Sequence, residues 1–552
     1  MDLRITFVLL TLVYSVRGTR PSNICPQSTP CVCKNDGLLA SETEVDCQLR
    51  KLNGVPTFEG IGKARKINLS RNKLTKLDAN TFAGITTPQI DLSGNMISTT
   101  DELAFAGLEN SLETLILKSN KFSTIPTQSL KRLGKLKVLN FDNNPGLVAI
   151  NGSDFQGLSQ LETLSLKKCS IACLHEGSFV GLDNLRELVL YNNDLKEISS
   201  TLFLPLTSLQ ELDLGFNLDL DHMPARAFRH ITSLSLSMNN FSSDDSFDPA
   251  AFADVSDSLE LLKLDHCRMK AVPSRALKQL TSLKQLNLNG NQIRRIEAED
   301  LSGLSSLEHL TLDDNRHLHL ALHGLSKVAG TLKYLSMRDM NLKAIPLEPL
   351  QDLLALEWLD VSENSFESLG PGALEGICAT RFEITHSHLQ RISKEAFRNT
   401  PNNLRLNLKG NVIDSMEFLE QPCKFEEADV DAICDCALYK LLKTRKIQLK
   451  GKCRLPRDLE GITVDSKAYK LISRERCERN STNFWSDHTP NCPLFDPSET
   501  GELSPARCST VSRDDAGETG LNSSVNVALA STSLTGFLNM FGFVIYRNLC
   551  LI

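Results

Sequence analysis

The 552-residue chain predicts an α/β solenoid: a curved, horseshoe-like array of short repeats with a parallel β-sheet on its concave face and a disulfide cap at each end. Three observations support this fold class. A pattern of the form LxLxxNxL recurs through most of the chain, groups of cysteines stand before and after it, and both chain ends have the composition of targeting segments. Because repeat arrays grow by stacking, the length does not indicate the number of domains.

The repeat contains an asparagine, or a substitute, at one marker position, with steps of 22 to 28 residues. The markers are Asn72, Asn95, Asn120, Asn144, Cys169, Asn193, Asn217, Asn239, Cys267, Asn291, Asn315, Met340, Asn364, Ser387 and Asn411. The two leucines of LxL point the same way, so each unit contributes a short strand whose buried face only stacked neighbours can cover. The asparagine amide can satisfy buried turn groups of the backbone, and Cys169 and Cys267 are expected to be structural thiols.

A second apolar position recurs on the convex side of the predicted array. It holds Phe82, Phe105, Phe155, Phe179, Phe203, Phe228, Phe252 and Phe397. Aromatic residues at such regular spacing indicate a core spine and not a ligand pocket.

The cysteine groups resemble the N- and C-terminal caps of extracellular leucine-rich repeat proteins, such as the connectin- and chaoptin-type adhesion proteins of the cell surface. The cap cysteines are Cys25, Cys31, Cys33 and Cys47 before the array, and Cys434, Cys436, Cys453 and Cys477 after it. The resemblance implies the pairs Cys434–Cys453 and Cys436–Cys477. At the N-terminus it implies Cys25–Cys31 or Cys25–Cys33, with the remainder closing on Cys47.

Cysteines outside the caps leave an odd number, which predicts at least one free thiol or an intermolecular bridge. If Cys550 is removed with the C-terminal tail, those left are Cys169, Cys173, Cys267, Cys378, Cys423, Cys492 and Cys508. Cys492 and Cys508 are candidates for a pair within the segment that follows the array. The secretory context favours disulfides over a zinc site.

The domain organisation follows from these patterns. It comprises a signal peptide (1–18), an N-terminal cysteine-rich cap (19–56), about fifteen repeats (57–420), a C-terminal cysteine-rich cap (421–478), a stalk (479–521) and a GPI-attachment signal (522–552). Small residues at Asn522 and Ser523 are the candidate attachment site. A spanning helix and an ordinary secreted tail are the alternatives for the C-terminus.

Five sequons are candidates for N-glycosylation in a secreted chain: Asn68, Asn151, Asn240, Asn480 and Asn522. Asn68 lies on the first predicted strand, where a glycan would obstruct one end of the concave face.

Composition and motifs argue against several classes of function. A net charge of −7, with no clustered basic face, does not favour nucleic-acid binding. The chain lacks the P-loop, GxSxG, HExxH and GxGxxG motifs, so neither an enzyme nor a cofactor is expected. The cluster His317, His319 and His323 fits a solvated loop better than a metal site.

The solvent-facing positions of the predicted concave sheet change in character along the array. They run from basic (Lys167, Lys168) through apolar (Tyr191, Phe216, Met238) to acidic (Asp313, Asp360) with an aromatic pair (Tyr334, Trp358). Exposed aromatic residues are enriched at interface hot spots, so this face predicts protein binding. Ordinary variation on an open sheet is the alternative. The opposite charges at the two ends would also permit antiparallel self-association.

The resemblance and the face together predict an extracellular glycoprotein of the cell surface, GPI-anchored, that serves adhesion or recognition. Its partner would be an extracellular protein, possibly a second copy of the chain. A soluble carrier or modulator of a secreted enzyme or growth factor is one alternative, and a pattern-recognition co-receptor is another. The scaffold alone does not identify the ligand.

Overall fold

The computed structural model describes residues 25, 30–35, 43–421, 424–434, 438, 441, 447–455 and 460–464. It confirms the predicted solenoid, with a 19-stranded sheet that runs through the array. The predicted signal peptide, stalk and GPI-attachment signal lie outside the described residues, as do Asn480 and Asn522. Within the described residues, no helix combines the length and apolar character needed to cross a membrane.

The part of the chain that the structure describes contains thirty-one short strands, most of them two or three residues long. The first sixteen are β1 (Val32–Asn35), β2 (Thr43–Asp46), β3 (Gly62–Lys63), β4 (Lys66–Asn68), β5 (Lys76–Leu77), β6 (Ile85–Thr86), β7 (Gln89–Asp91), β8 (Thr99–Thr100), β9 (Thr114–Ile116), β10 (Val138–Asn140), β11 (Ala149–Ile150), β12 (Thr163–Ser165), β13 (Cys173–Leu174), β14 (Glu187–Val189), β15 (Glu211–Asp213) and β16 (Ser233–Ser235). The remainder are β17 (Leu261–Lys263), β18 (Gln285–Asn287), β19 (Arg295–Ile296), β20 (His309–Thr311), β21 (His319–Leu320), β22 (Tyr334–Ser336), β23 (Trp358–Asp360), β24 (Ser368–Leu369), β25 (Arg381–Glu383), β26 (Arg391–Ile392), β27 (Leu404–Asn407), β28 (Phe425–Asp429), β29 (Ala432–Ile433), β30 (Gln448–Lys450) and β31 (Cys453–Leu455).

The main sheet is parallel except at its N-terminal edge, where β1 pairs antiparallel with β2. From β2 to β27 the strands pair with those of the neighbouring units in register, so that the central leucines align: Leu164 with Leu188, for example, and Leu188 with Leu212. The pairing of β27 with β28 contains a register shift between Leu404 and Arg405. The remaining strands form six two-stranded ladders away from this sheet. The result is one continuous concave sheet along which residues at equivalent positions form rows.

Helices are single turns: α1 (Thr127–Leu130), α2 (Ser274–Leu277) and α3 (Leu347–Gln351). A proline precedes each of them, at Pro126, Pro273 and Pro346. Proline suits this place because it has no N–H group, and the first turn of a helix leaves its N–H groups unpaired. Leu438 and Leu441 are also helical. The described residues further contain 3₁₀ turns at Ala253–Val255, Ser326–Val328, Lys394–Phe397 and Glu417–Glu420.

The marker asparagines are buried and join consecutive units, as Asn193 shows. Its Oδ1 accepts hydrogen bonds from the backbone N–H groups of Cys169 and Ile171, both at 3.0 Å. Its Nδ2 donates to the carbonyl oxygens of Leu166, at 3.0 Å, and Leu190, at 2.8 Å. One side chain thereby satisfies backbone groups of two units that no water reaches.

Cysteine takes the marker position twice, at Cys169 and Cys267, and both are buried free thiols. The Cys169 Sγ donates to the Phe141 carbonyl oxygen at 3.3 Å. Burial raises the pKa of Cys169 to about 11 and that of Cys267 to about 12, so both thiols stay protonated at neutral pH. Their environment therefore agrees with the structural role expected from the sequence.

The phenylalanine spine is present in the core. From Phe155 through Phe179, Phe203 and Phe228 to Phe252, each ring stacks on the next, at centroid distances of 6.4, 6.0, 6.3 and 6.0 Å. The rings are buried, so they hold neighbouring units together and offer nothing to a ligand.

Disulfides close the N-terminal end of the solenoid through Cys25–Cys33 and Cys31–Cys47, which decides between the two arrangements that the resemblance left open. Near the C-terminal end Cys434 pairs with Cys453, as the resemblance implies. Cys436 and Cys477 lie outside the described residues.

Two cysteines of the odd group, Cys173 and Cys378, are disulfide-bonded. Cys423, Cys492 and Cys508 lie outside the described residues. Among the described cysteines, the free thiols are thus the two at marker positions.

Candidate protein-binding face

The concave face is formed by four positions of each unit: the first and third residues of the strand, and the two residues after the next buried apolar residue. For β22 these are Tyr334, Ser336, Arg338 and Asp339. Side chains alternate across a strand, so these positions point away from the core while the leucines between them point into it. This face is therefore open to solvent or to a binding partner.

The face divides into two segments of unlike charge. We call β4, β7, β9, β10, β12 and β14, with the residues that follow them, the basic segment, and β15, β16, β17, β18, β20, β22, β23 and β25 the acidic segment. The basic segment carries Lys66, Arg71, Lys118, Lys167 and Lys168 against Asp91, Asp142 and Glu187. The acidic segment carries Glu211, Asp213, Asp265, Asp313, Asp314, Asp339, Asp360, Glu363 and Glu383 against Lys263, Arg338 and Arg381, with His266 and His386 beside them.

The fourth face position has a left-handed backbone in unit after unit. Its φ is 58° at Asn192, 58° at Phe216, 60° at Met238 and 59° at Glu363. Asparagine and glycine adopt this conformation readily, whereas bulky side chains are strained there by about 1 kcal/mol or more. Equivalent positions of other units also hold large side chains, but these are polar, whereas Phe216 and Met238 are apolar; the polar examples are Arg71, Lys168, His266 and His386. The backbone conformation does not explain why Phe216 and Met238 are apolar, so we attribute them to the surface that they form.

One aromatic cluster lies where the two segments meet. The Lys167 Nζ stands 4.5 Å from the centroid of the Tyr191 ring, and that ring lies 5.7 Å from the ring of Phe216. Gly215 leaves room for it: a Cβ on Gly215 would come within 3.1 Å of the Tyr191 ring. Burial raises the pKa of Tyr191, and Asp213 and Asp265 raise it further, so the hydroxyl stays neutral.

A second cluster runs along the first positions of four successive strands of the acidic segment. The His309 and Tyr334 rings are 5.9 Å apart, and Tyr334 meets Trp358 edge-on at 4.8 Å. The Arg381 guanidinium carbon lies 3.7 Å from the Trp358 ring centroid, a cation–π contact. Glu383 holds that guanidinium by accepting from its Nε at 3.0 Å and from its Nη2 at 2.8 Å.

Carboxylates surround this second cluster. Asp313 accepts hydrogen bonds from the Ser336 hydroxyl, at 2.5 Å, and from the backbone N–H of Arg338, at 2.8 Å. Burial raises the pKa of Asp313 and also that of Asp360, and the hydrogen bonds each receives only partly offset this effect. Both carboxylates thus sit where additional positive charge would stabilise them.

Asp265 lies between the clusters and is stabilised within the chain. It accepts a hydrogen bond from the Ser237 hydroxyl at 2.6 Å and contacts the His266 Nδ1 at 3.2 Å. Burial works against its charge, but these hydrogen bonds prevail, and the pKa of Asp265 is lowered. The hydrogen bond with Asp265 raises the pKa of His266.

The structure brings most of the sequence-predicted face residues into two clusters of contacting side chains. Tyr191 contacts Phe216 and Lys167, and Tyr334 contacts Trp358. Lys168 and Met238 lie on the face near the first cluster. Their role in binding stays a prediction.

One prediction about exposure was wrong. Asp360 was expected to face solvent, but only 6% of it is exposed. Side chains of the neighbouring unit approach this third strand position: the Arg338 guanidinium lies 4.0 Å from the Asp360 carboxylate. Asp360 can therefore act on a partner only through its charge.

Sequence reasoning missed the part played by Arg381. It occupies the first strand position of the unit after Trp358, so the same register that placed the aromatic pair would have placed the cation beside it. His309 likewise extends the row on the other side. The left-handed backbone of Phe216 and Met238 had no signal in the sequence beyond the asparagines and glycines of equivalent units.

Three sequons lie within the described residues. Asn68 is on β4 at the start of the face, where its Oδ1 accepts hydrogen bonds from the backbone and hydroxyl of Ser70. Asn151 donates to Asp154, and Asn240 accepts from Arg268. Across the described residues, no group of three or more His, Cys, Asp or Glu side chains is arranged to hold a metal ion.

Comparison with known proteins agrees with this architecture. The family model described as "Leucine rich repeat" matches residues 110–171, 159–218, 183–241 and 257–316. Chaoptin from Drosophila melanogaster is 29% identical over 231 residues, which are 41% of this chain and 17% of Chaoptin. Tsukushi from Gallus gallus is 33% identical over 173 residues, 30% of this chain and 45% of Tsukushi. The chain thus spans less than half the length of either relative.

Receptors of the Toll type are also similar. Toll-like receptor 3 from Bos taurus is 27% identical over 304 residues, 51% of this chain and 32% of the receptor. Among solved structures, TLR13 in complex with ssRNA13 superimposes with a TM-score of 0.58 at 24% identity, covering 72% of this chain and 56% of that one. At that identity the likeness concerns the fold alone.

Proposed function

Because the chain contains leucine-rich repeats and is similar to chaoptin, we propose that it is an extracellular, non-enzymatic adhesion or recognition glycoprotein of the cell surface. Its ligand would be another extracellular protein, bound on the concave face. The relatives support the extracellular, non-enzymatic part of this proposal at the level of the family. The concave face supports the choice of a protein ligand.

The observation that carries the proposal is the pair of large apolar side chains held in a left-handed backbone. Equivalent positions mostly hold glycine or polar residues, such as Asn192, Lys168 and His266, so the large apolar side chains of Phe216 and Met238 depart from the polar character of this row. Strain of this kind is kept where a surface has a use for it. An aromatic side chain at the centre of a protein interface is a typical anchor, since it buries a large area.

The proposed ligand is a protein and not a nucleic acid. TLR13 was solved with ssRNA13, but a phosphate backbone is neutralised by lysine and arginine side chains. The acidic segment presents the opposite charge over eight strands of the face.

Display at the cell surface rests on the two ends of the chain. We propose a signal peptide at 1–18, a stalk at 479–521 and a GPI-attachment signal at 522–552, with Asn522 or Ser523 as the attached residue. Full-length protein expressed in secretory cells should reach the surface and leave it after treatment with phosphatidylinositol-specific phospholipase. Protein found only in the medium would favour the soluble carrier. Surface protein that resists a verified enzyme preparation would indicate a spanning helix.

Binding at the concave face can be tested without disturbing the fold. The double variant Phe216→Asn, Met238→Asn places a residue that tolerates positive φ at both positions, so it should be at least as stable as the wild type. We expect it to lose most of the binding of the soluble protein to cells that bind the wild type. The matched control is Val180→Asn, Leu204→Asn, which removes two exposed apolar side chains next to the buried spine residues. If the control loses binding and the concave variant keeps it, the ligand does not use this face.

A further inference from the structure

The acidic segment carries more carboxylates than the chain's own cations balance. Arginines form close ion pairs with four of the nine carboxylates: Arg316 contacts Asp314 and Asp339, Arg338 pairs with Glu363, and Arg381 pairs with Glu383. Asp313 and Asp360 remain in surroundings that penalise their charge. Covering this segment with a neutral or acidic partner would remove its carboxylates from water without compensation, which is unfavourable.

Aromatic rings stand at both ends of the same segment, with Phe216 at the start and Trp358 near the end. Two aromatic rings of the face already contact cationic side chains of the same chain. Arg381 stacks on Trp358 at 3.7 Å, and Lys167 stands over Tyr191 at 4.5 Å. A guanidinium combines this stacking with paired hydrogen bonds to a carboxylate, which an ammonium group cannot do.

The dimensions of the segment indicate the length of such a partner. Adjacent strands of a sheet are about 4.8 Å apart, so eight strands extend over roughly 35 Å. An extended polypeptide advances about 3.4 Å per residue, and about ten residues would therefore cover the segment from Phe216 to Arg381.

We propose that the acidic segment binds an arginine-rich, extended stretch of a partner protein, with carboxylates pairing with its guanidinium groups and with aromatic rings stacking on them. This inference rests on the proposed function and specifies the chemistry of its partner.

A second copy of this chain fits the same segment less well. The basic segment offers mainly lysines, and Lys167 is already placed over Tyr191. Asn68, a glycosylation candidate, also lies on its first strand, next to Lys66 and near Arg71. A glycan at Asn68 would stand between the two copies.

The test uses the secreted full chain and a fluorescent nona-arginine peptide as the probe, with affinity measured by anisotropy. The variant Asp314→Asn, Asp339→Asn, Glu363→Gln removes three charges from side chains that are 46%, 43% and 47% exposed, and it also releases Arg316 and Arg338 from their ion pairs with these carboxylates. All three backbones have positive φ, which asparagine tolerates at the two aspartate sites. We expect this variant to bind the peptide at least about ten-fold more weakly. Nona-lysine should bind the wild type more weakly than nona-arginine.

The matched control removes the same charge elsewhere, through Glu102→Gln, Glu197→Gln and Glu348→Gln, which are exposed and away from the face. Unchanged peptide affinity in this control, with loss in the face variant, supports the inference. Equal loss in both would mean that only net charge matters, and would overturn it. Thermal melts of both variants verify that they are folded.

Two further outcomes separate this inference from the function on which it rests. If nona-arginine does not bind while cell binding still depends on Phe216 and Met238, the arginine-rich partner is excluded and the concave-face function stands. If the chain binds itself, and Lys167→Glu with Lys168→Glu abolishes that binding, the occupant is a second copy and the inference fails. If wild-type protein binds neither the peptide nor any cell, the proposed function fails as well.

Discussion

The basic and acidic segments have the same backbone and carry different surfaces. In both, marker asparagines join the units, leucines align in register, and the fourth face position has a positive φ. The basic segment exposes lysines with a few carboxylates, whereas the acidic segment exposes many carboxylates around aromatic rings. The buried rows therefore determine how the chain folds, and the face rows are free to determine what it binds. Changes in the buried rows should affect both segments alike, and changes in the face rows should not.

The largest common effect is expected at two glycines, Gly157 in the basic segment and Gly303 in the acidic one. Both have φ of +88°, and a Cβ would lie 2.1 Å from the Lys131 carbonyl oxygen at Gly157 and 1.9 Å from that of Lys278 at Gly303. Either alanine variant should lose about 3 kcal/mol or more of unfolding free energy, because the backbone must move. Chemical denaturation measures this loss of unfolding free energy.

Two other glycines separate the steric effect from the strain of positive φ. Gly107 and Gly181 have φ of +89° and +87°, but open space where the Cβ would go. Their alanine variants should lose only about 1 kcal/mol. Losses as large as at Gly157 would show that the carbonyl contact is unimportant.

The marker row should respond equally in both segments. Asn120 and Asn315 each accept one backbone N–H and donate to two carbonyl oxygens inside the core. Alanine at either position leaves these groups unpaired, and each variant should lose about 2–3 kcal/mol. Asn184→Ala, which removes an exposed hydrogen bond to Ser159, should cost a few tenths of a kcal/mol at most. A difference between Asn120 and Asn315 much greater than 1 kcal/mol would contradict the view that the two segments share one scaffold.

A smaller effect, of opposite sign, is expected where cysteine replaces the marker. The Asn291 Oδ1 accepts from the N–H groups of Cys267 and Met269. In the variant Cys267→Asn, the new Oδ1 would accept hydrogen bonds from the backbone N–H groups of Asn239 and Phe241 in the same way. Cys169→Asn is the equivalent change in the basic segment. Because cysteine and asparagine have similar volumes, we expect a gain of about 1 kcal/mol at each site. A loss of stability at both would mean that the cavity accepts only the thiol.

The smallest effects concern pH and distinguish two carboxylates of the acidic segment. Burial raises the pKa of Asp360 in the folded state, so ionised Asp360 destabilises the folded state at neutral pH. This penalty shrinks as the pH falls through the folded-state pKa, and it is absent below the pKa of the unfolded state. Asp360→Asn, produced without N-glycosylation because the change completes a sequon with Val361 and Ser362, should therefore be more stable than the wild type at pH 7, with the difference closing near pH 3. Asp265 has a lowered pKa despite burial, so Asp265→Asn should be less stable at pH 7 and approach the wild type in acid. Urea denaturation across this pH range measures both, and the same sign for both variants would contradict the assignment.

Sequence alone was sufficient for the rows that neighbouring units bury. Asn193 and Phe179 were placed correctly because a solenoid repeats one contact, and the sequence must repeat with it. The choice between Cys25–Cys31 and Cys25–Cys33 needed coordinates, since the two partners are only two residues apart in the sequence.

The face was harder to predict because its residues need not satisfy the fold. Register placed Tyr334 beside Trp358, but it did not show that Arg381 covers the indole ring or that Asp360 is buried. Such features depend on side-chain sizes in three adjacent units at once. The strain at Phe216 is set by the backbone of its own unit and leaves no mark on the residue type.

The direction of the backbone hydrogen bonds has a mechanical consequence. Because they run between stacked strands, a pull along the array would load them one unit after another and not all together. Each unit that detached would release a chain of about 24 residues, or roughly 80 Å of extra length, while its neighbours stayed folded. Held between two moving surfaces, such a molecule would lengthen in steps and shorten again on relaxation. The connection between the surfaces would therefore extend before it broke.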